Sequence, residues 1–331
     1  MRLLVTGGAG FIGSNFVHHI LSTGRDVEVV NLDKMSIGSN PNNLKGLEND
    51  KRHKFVKGDI ADAKLAQKLM RGVDALVNFA AETHVDRSIS NPRPFFESNV
   101  LGTFNLLECV RRRKKIKFIH ISTDEVYGEI PKGSFKESDP LNPSSPYSAS
   151  KAAADILVLA YCQSYDIDAL VTRCTNNFGP YQHPEKFIPK TVIRALLNLP
   201  VPIYGTGKNI RDWIHVLDHC EAIDLLLKKG RPGEVYNIST GNEFENREIV
   251  RKVLGLMDKP ESLITFVKDR PGHDFRYSLD SSKIKKLGWK PRHNFRTALE
   301  QTIEWYTKNE WWWRSIATKK VLHHAPWKLR W

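Results

Sequence analysis

Tyr147 and Lys151 stand four residues apart in the run Pro146-Tyr147-Ser148-Ala149-Ser150-Lys151. On a helix that spacing brings both side chains to one face, one turn apart. An ammonium beside a phenol favours the phenolate and lowers its pKa. The pair therefore predicts a base that takes the proton of an alcohol during hydride transfer. A second set lies in Ser122-Thr123-Asp124-Glu125-Val126-Tyr127-Gly128, directly after an apolar run. Two adjacent carboxylates there are costly unless they are paired or used. If their surroundings separate their pKa values, one stays protonated as an acid while the other works as a base. The plainer alternative is a solvated turn in which Asp124 caps a helix.

A third set is the glycine array in Val5-Thr6-Gly7-Gly8-Ala9-Gly10-Phe11-Ile12-Gly13. Gly7, Gly10 and Gly13 let the backbone approach a pyrophosphate, and a helix beginning at Phe11 offers free N–H groups and positive potential. Asp33 follows 20 residues after Gly13. A carboxylate there accepts both ribose hydroxyls and repels a 2′-phosphate, which favours NAD over NADP. Lys34 beside it weakens that preference slightly. Asp59-Ile60 follows a further apolar stretch, where the carboxylate either meets the adenine amine or caps a helix.

The elements that must position these residues are legible as alternating patterns. Leu3, Leu4 and Val5 mark a buried strand over 2–6, and helical apolar spacing follows over 11–21. Further strands are predicted at 27–32, 55–56, 75–79, 118–122 and 169–173, and helices at 63–70, 95–113 and 145–165. Strands alternating with helices imply an α/β fold with a parallel, doubly wound sheet. Right-handed crossovers then align the strand C-terminal ends along one ligand-binding edge. After Arg173 prolines and glycines cluster, from Gly179-Pro180 to Arg270-Pro271-Gly272. That half reads as a smaller lobe covering the substrate, with 235–238 returning to the sheet as a strand. The expected division is a Rossmann-type NAD-binding domain over 1–173, with a return segment near 208–240, and mainly a substrate-binding lobe and C-terminal tail over 174–331. Residues 297–306 read as a helix, followed by Trp311-Trp312-Trp313 and a basic tail.

The chain has 331 residues, 40% of them apolar and 26% charged, a balance that supports a buried core and disfavours intrinsic disorder. No apolar run approaches the roughly 20 residues that cross a bilayer, and no signal peptide is expected. Four cysteines without C-x-x-C spacing argue against a disulfide scaffold and a zinc site, and point to a reduced, cytoplasmic setting. Twelve histidines form no H-E-x-x-H array, so no metal is expected. The net charge, 50 − 37 = +13, favours anionic partners. Its densest run, Arg111-Arg112-Arg113-Lys114-Lys115, reads as a helix C-terminus opposing the macrodipole, so neither nucleic acid nor membrane is the expected partner.

Together, the glycine array, Asp33, the stretch Phe79-Ala80-Ala81-Glu82-Thr83-His84-Val85-Asp86-Arg87-Ser88, the run from Ser122 to Gly128 and the Tyr147/Lys151 pair resemble the extended short-chain dehydrogenase/reductases. Within them the chain is similar to the dTDP-glucose 4,6-dehydratases. The likeness continues through 173–181, 184–189, 211–214, 269–274 and the tryptophan triplet. The resemblance implies tightly bound NAD, recycled in each turnover, and a dTDP-glucose substrate. Tyr147 would remove the C4 hydroxyl proton, with Lys151 lowering its pKa and holding the nicotinamide ribose. Thr123 would hydrogen-bond the C4 oxygen, Glu125 would take the C5 proton and Asp124 would protonate the departing C6 hydroxyl. The alternative is a 4-epimerase or decarboxylase of the same family, in which this pair of carboxylates is not expected.

The resemblance also implies a cofactor site of Gly7, Gly10, Phe11, Ile12, Gly13, Asp33, Lys34, Asp59, Ile60, Phe79, Ala80, Ala81, Ser98, Tyr147, Lys151 and Asn177. It implies a substrate site of Thr83, Thr123, Asn176, Lys186, Phe187, Pro202, Tyr204, Arg211, Asn246, Arg270 and His273. Arg211 suits a diphosphate through its planar fork, and its alternative is an ion pair with Asp212 or Asp218. His84 reads as a packed histidine rather than a catalyst. A homodimer joined through 95–113 and 145–165 is expected, and the tail 315–331 reads as a packed extension.

Overall fold

The structure, a computed structural model, describes residues 1–113 and 115–331. Strand β1 (Arg2–Thr6) is buried from Leu3 onward and runs into helix α1 (Phe11–Ser22). β2 (Glu28–Asp33), β3 (His53–Lys57), α2 (Ala63–Leu69), β4 (Ala75–Asn78) and α3 (Val85–Ser90) follow. α4 (Arg93–Phe95) continues as a π-helical stretch, Phe96–Leu101, into α5 (Gly102–Arg111). β5 (Lys117–Thr123) ends in a 3-10 turn over Asp124–Tyr127, and α6 (Pro146–Tyr165) leads to β6 (Ala169–Cys174) and β7 (Asn176–Phe178). Beyond lie α7 (Phe187–Leu196), β8 (Val201–Tyr204), β9 (Ile210–His215), α8 (Val216–Lys229), β10 (Val235–Ile238), β11 (Glu243–Glu245), α9 (Asn246–Leu256), β12 (Ile264–Val267), α10 (Ser282–Lys286), α11 (Phe295–Lys308) and α12 (Glu310–Trp313).

Seven strands form one sheet in the order β10-β6-β5-β4-β1-β2-β3, parallel at every pairing. This is the Rossmann-type doubly wound α/β sheet that the alternation predicts. The winding reverses between β1 and β4, and that switch point opens a crevice at the strand C-terminal ends. One face is sealed by α1 and α8 through Phe16, Val17, Ile20, Ile223 and Leu226; the other by α2, α5 and α6 through Ala66, Leu106, Val110 and Val158. A second sheet, β11-β9-β7, and the parallel pair β12-β8 build the smaller lobe. Its core is aromatic: Phe178, Trp213, Phe295, Tyr306, Trp312 and Trp313 pack together. Of the segment 208–240, α8 and β10 join the large sheet, whereas β9 belongs to the second sheet.

Local departures from the sequence reading have physical causes. The helix expected over 95–113 is continuous only through its π-helical stretch. The wider turn buries Ser98 and Asn99 together, a device common at functional sites. The strand expected at 55–56 extends to His53–Lys57 because pairing with β2 satisfies its backbone even where Phe55 is exposed. The basic run ends α5: Arg111 and Arg112 both face Glu108, and Arg113 donates to the Met70 carbonyl. Lys114 lies outside the described residues. Among those residues no helix is long and apolar enough to cross a membrane, and no group of three or more metal-ligating side chains gathers.

Candidate active site

A cleft with about 1430 Å³ of open space follows the C-terminal ends of β1, β4, β5 and β6. Its floor begins at the turn between β1 and α1. Gly7 adopts φ +72°, and a Cβ there would lie 2.6 Å from the Ala80 nitrogen; a Cβ on Gly13 would lie 2.3 Å from the Gly7 carbonyl oxygen. Only glycine fits that close approach. Gly10 caps α1 without any side-chain hydrogen bond, so the first N–H groups of the helix remain for an anion. Phe11, Ile12, Phe79, Ala80, Ala81 and Ile60 line the same floor.

Asp33 closes β2. Its Oδ2 accepts from the Ala9 nitrogen (3.0 Å), and Oδ1 accepts from Met35 N and Ser39 Oγ (2.8 Å each). Three donors thus hold the carboxylate at the cleft wall. Lys34 is drawn aside, its Nζ 2.5 Å from Ser98 Oγ and 3.1 Å from Glu82 Oε1. Asp59 lines the cleft and accepts from Ala61 N, while Asp62, not Asp59, caps α2. This glycine cradle, the uncapped helix terminus and the anchored Asp33 together fit an NAD molecule.

The catalytic candidates meet in the same cleft: Thr123, Asp124, Glu125, Tyr147 and Lys151 all line it. Asp124 is neither solvated nor a cap. Thr123 caps the 3-10 turn, accepting from Glu125 N at 3.3 Å, and its hydroxyl reaches Asp124 Oδ1 at 3.1 Å. Asp124 is 3% exposed, and its Oδ2 has no hydrogen-bond partner among the described residues. Burial, then the neighbouring Glu125 charge, push its carboxyl well above the usual range. Burial raises Glu125 too, but Arg270, Arg211 and Lys186 pull it back toward ionisation. Both carboxyls are thus raised, and the cations opposing the rise at Glu125 favour its working as the base.

α6 is well specified: Pro146 occupies its first turn, and Ser145 and Ser148 form a capping box. It sets Tyr147 against Phe95, with the Tyr147 nitrogen bonded to Ser88 Oγ. One helical turn further along α6 lies Lys151. Its Nζ is held by the Ile121 carbonyl at 2.6 Å and stands 3.3 Å from His120 Nε2, and burial lowers it to about 8. Burial and the Glu125 charge push the phenol well above its usual value, with the Thr123 hydroxyl opposing.

The substrate candidates divide. Thr83, Asn176 and Lys186 line the cleft, as does Asn177 of the cofactor set. Lys186 donates to the Thr83 carbonyl at 2.8 Å. Arg211 forms neither expected ion pair; its guanidinium is held by the carbonyls of Ile210, Asp274 and Phe275 over the Tyr277 ring, because Asp212 and Asp218 are already engaged by backbone N–H groups. Tyr204 and Arg270 meet on Asp86, each at 2.9 Å. His273 sits 2.6 Å from Asp269 and edge-on to Tyr204. Phe187 opens α7 and stacks on Trp213. Phe187, Tyr204, Arg211, Arg270 and His273 do not line the cleft, and neither do Pro202, buried in β8 opposite Thr265, and Asn246, the first residue of α9.

The sequence reading passed over Glu185, a buried acid lining the cleft. Burial raises its carboxyl, but the Arg87 and Lys186 cations, joined by His84 and His183 only where these are protonated, outweigh that and hold it low. Arg87 donates to it at 2.9 Å. His84 and His183 are each lowered to about 4 by burial and are neutral, which suits the packed role read for His84. The signal was a carboxylate inside Pro184-Glu185-Lys186-Phe187, but its partner Arg87 lies 98 residues away.

Comparison with known proteins agrees with this geometry. A family model described as GDP-mannose 4,6 dehydratase matches residues 4–302. A dTDP-glucose 4,6-dehydratase of Streptomyces niveus is 48% identical, over 98% of each chain. Among solved structures, a dTDP-glucose 4,6-dehydratase of Streptomyces venezuelae with NAD bound is 48% identical, with a TM-score of 0.94 over 96% of this chain and 100% of its own. A UDP-glucose 4-epimerase of Thermus thermophilus, in complex with NAD, has 33% identity and a TM-score of 0.86 over 93% and 100%. Matched by that family model across most of its length, and by relatives of this identity end to end, the chain belongs to the dTDP-glucose 4,6-dehydratase family.

Proposed function

We propose that the chain is an NAD-dependent lyase that converts dTDP-glucose to dTDP-4-keto-6-deoxyglucose, losing one water. The observation that carries this reading is the pair of adjacent carboxyls, Asp124 and Glu125, in one cleft with Tyr147 and the glycine cradle. NAD, when bound, supplies a hydride acceptor that gives the hydride back within the same turnover. The residues of the chain do the rest. Tyr147, in its phenolate form, takes the C4 hydroxyl proton as hydride leaves, and Thr123 orients the same oxygen. The resulting ketone acidifies C5–H, and Glu125, kept ionisable by Arg270, Arg211 and Lys186, accepts that proton. Asp124, kept protonated by burial, delivers its proton to the C6 hydroxyl, which leaves as water. Return of hydride to C6 and of a proton from Glu125 to C5 completes the product, and passage of the C4 hydroxyl proton from Tyr147 to Asp124 through solvent resets both residues. Lys186, Arg211 and Arg270 supply the positive wall for the nucleotide diphosphate. A 4-epimerase needs hydride transfer but no elimination, and so no acid beside the base.

The same reading assigns 1–173 with the return segment to NAD and 174–331 mainly to the substrate, and places the protein in a reduced cytoplasm, where the unpaired Cys109, Cys162, Cys174 and Cys220 are at home. It also joins two copies through the face where Phe96, Leu101, Phe104 and Ile156 are exposed. Mass spectrometry after incubation with dTDP-glucose and with UDP-glucose tests the activity: loss of one water from the dTDP-sugar is expected, and an unchanged mass with both sugars contradicts the proposal.

A further inference from the structure

The segment after α12 is not a loose tail. Val321, Leu322 and Ala325 are buried, and Pro326–Lys328 forms a 3-10 turn against α3. Two cations of α7 hold its backbone: Arg194 Nη1 donates to the Leu322 carbonyl at 2.6 Å and Lys190 Nζ to the His323 carbonyl at 3.3 Å. The turn delivers the Trp327 ring edge-on to Tyr204, with centroids 4.8 Å apart. Tyr204 donates to Asp86 Oδ2, and Arg270 Nη1 donates to Asp86 Oδ1, both at 2.9 Å. Arg270 Nε is buried and has no partner among the described residues, so one donor of the fork remains for a ligand oxygen.

We propose that Trp327 is a positioning residue for the nucleotide-diphosphate end of the substrate, acting through Tyr204 and Asp86 on the guanidinium of Arg270. The inference rests on the functional reading above. A Tyr ring packed on one side by His273 and on another by Trp327 has little freedom. Its hydroxyl then fixes one Asp86 oxygen, which leaves the other to align the guanidinium. Without the indole, the ring gains rotamer freedom and the cation loses its preset direction. The cost falls on binding of an anion, because rigidity prepared in advance lowers the ordering cost of association. It does not fall on the proton transfers at Asp124 and Glu125.

Steady-state kinetics with dTDP-glucose and calorimetric titration with dTDP test this on wild type, Trp327→Ala and Trp327→Phe. Trp327→Ala is expected to raise KM and the dTDP Kd about tenfold, with kcat within about twofold and bound NAD unchanged. Trp327→Phe, which keeps an edge for Tyr204, is expected to stay within about threefold of wild type. Adding Tyr204→Phe to Trp327→Ala is expected to cost less than the sum of the single effects, as groups acting in one chain are non-additive. If Trp327→Ala does not fold, Trp327→Leu makes the same comparison. Unchanged KM and Kd would overturn the proposal. So would joint loss of kcat, NAD and thermal midpoint that phenylalanine fails to rescue, since that is a purely structural role. A wild-type chain that leaves dTDP-glucose intact refutes the functional reading instead, and is told apart by the wild-type arm alone.

Discussion

At Asp124, burial and a neighbouring charge act in the same direction, and the result is a carboxyl that resists ionisation. That state suits an acid and costs stability. Its folded-state pKa lies above the unfolded value of 3.8, so the folded chain holds the proton more tightly. The contribution is present at low pH and is lost as pH rises through the folded pKa. Asparagine has no proton to lose there. Asp124→Asn is therefore expected to unfold at a higher temperature than wild type near pH 8, with the gap closing toward about pH 4. Thermal unfolding across that range checks it, and a gap independent of pH would contradict the protonation assigned to Asp124. The sequence showed the two carboxyls but not the cations that oppose the rise at Glu125, because Arg270, Arg211 and Lys186 reach it from elements far along the chain.

Among the elements, the turn from β1 to α1 is the most constrained. A methyl group on Gly13 would press into the Gly7 carbonyl at 2.3 Å, backbone that has no free rotamer to yield. Gly13→Ala is expected to lower the NAD retained through purification at least about tenfold, measured by absorbance after denaturation; retention at the wild-type level would show that the cradle tolerates a side chain. In the lobe, Trp312 is 1% exposed and its Nε1 donates to Asn43 Oδ1. Trp312→Ala is expected to cost about 3–5 kcal/mol in denaturant unfolding. These features were legible because they rest on local spacing: glycines every third residue, apolar runs of strand length, and a Tyr–Lys pair one helical turn apart. Where tertiary partners decide, the sequence was silent. Lys151 turns to the Ile121 carbonyl rather than to Tyr147, the π-helical stretch rather than a plain helix buries Ser98 and Asn99, and Glu185 finds Arg87 across the fold.

For the whole molecule, an excess of positive charge and the cations Lys186, Arg211 and Arg270 acting on Glu125 suit a phosphorylated small molecule drawn in from solution. Of the exposed large apolar side chains, Phe96, Leu101, Phe104 and Ile156 belong to the π-helical stretch, α5 and α6, and Ile156 is 57% exposed. Light scattering is expected to give a dimer for wild type and a monomer for Ile156→Asp, since a buried unpaired charge opposes self-association; equal masses would remove that face from the account. The division of labour between two neighbouring carboxyls nevertheless matters most, because every later step of the turnover depends on it. Its most direct test is turnover of dTDP-glucose in deuterium oxide, with deuterium at C5 and loss of water followed together by mass spectrometry. Asp124→Asn is expected to exchange the C5 proton while losing water at least about a hundredfold more slowly than wild type, and Glu125→Gln is expected to do neither. Rapid water loss by Asp124→Asn, or undiminished C5 exchange by Glu125→Gln, would contradict the assignment of acid and base.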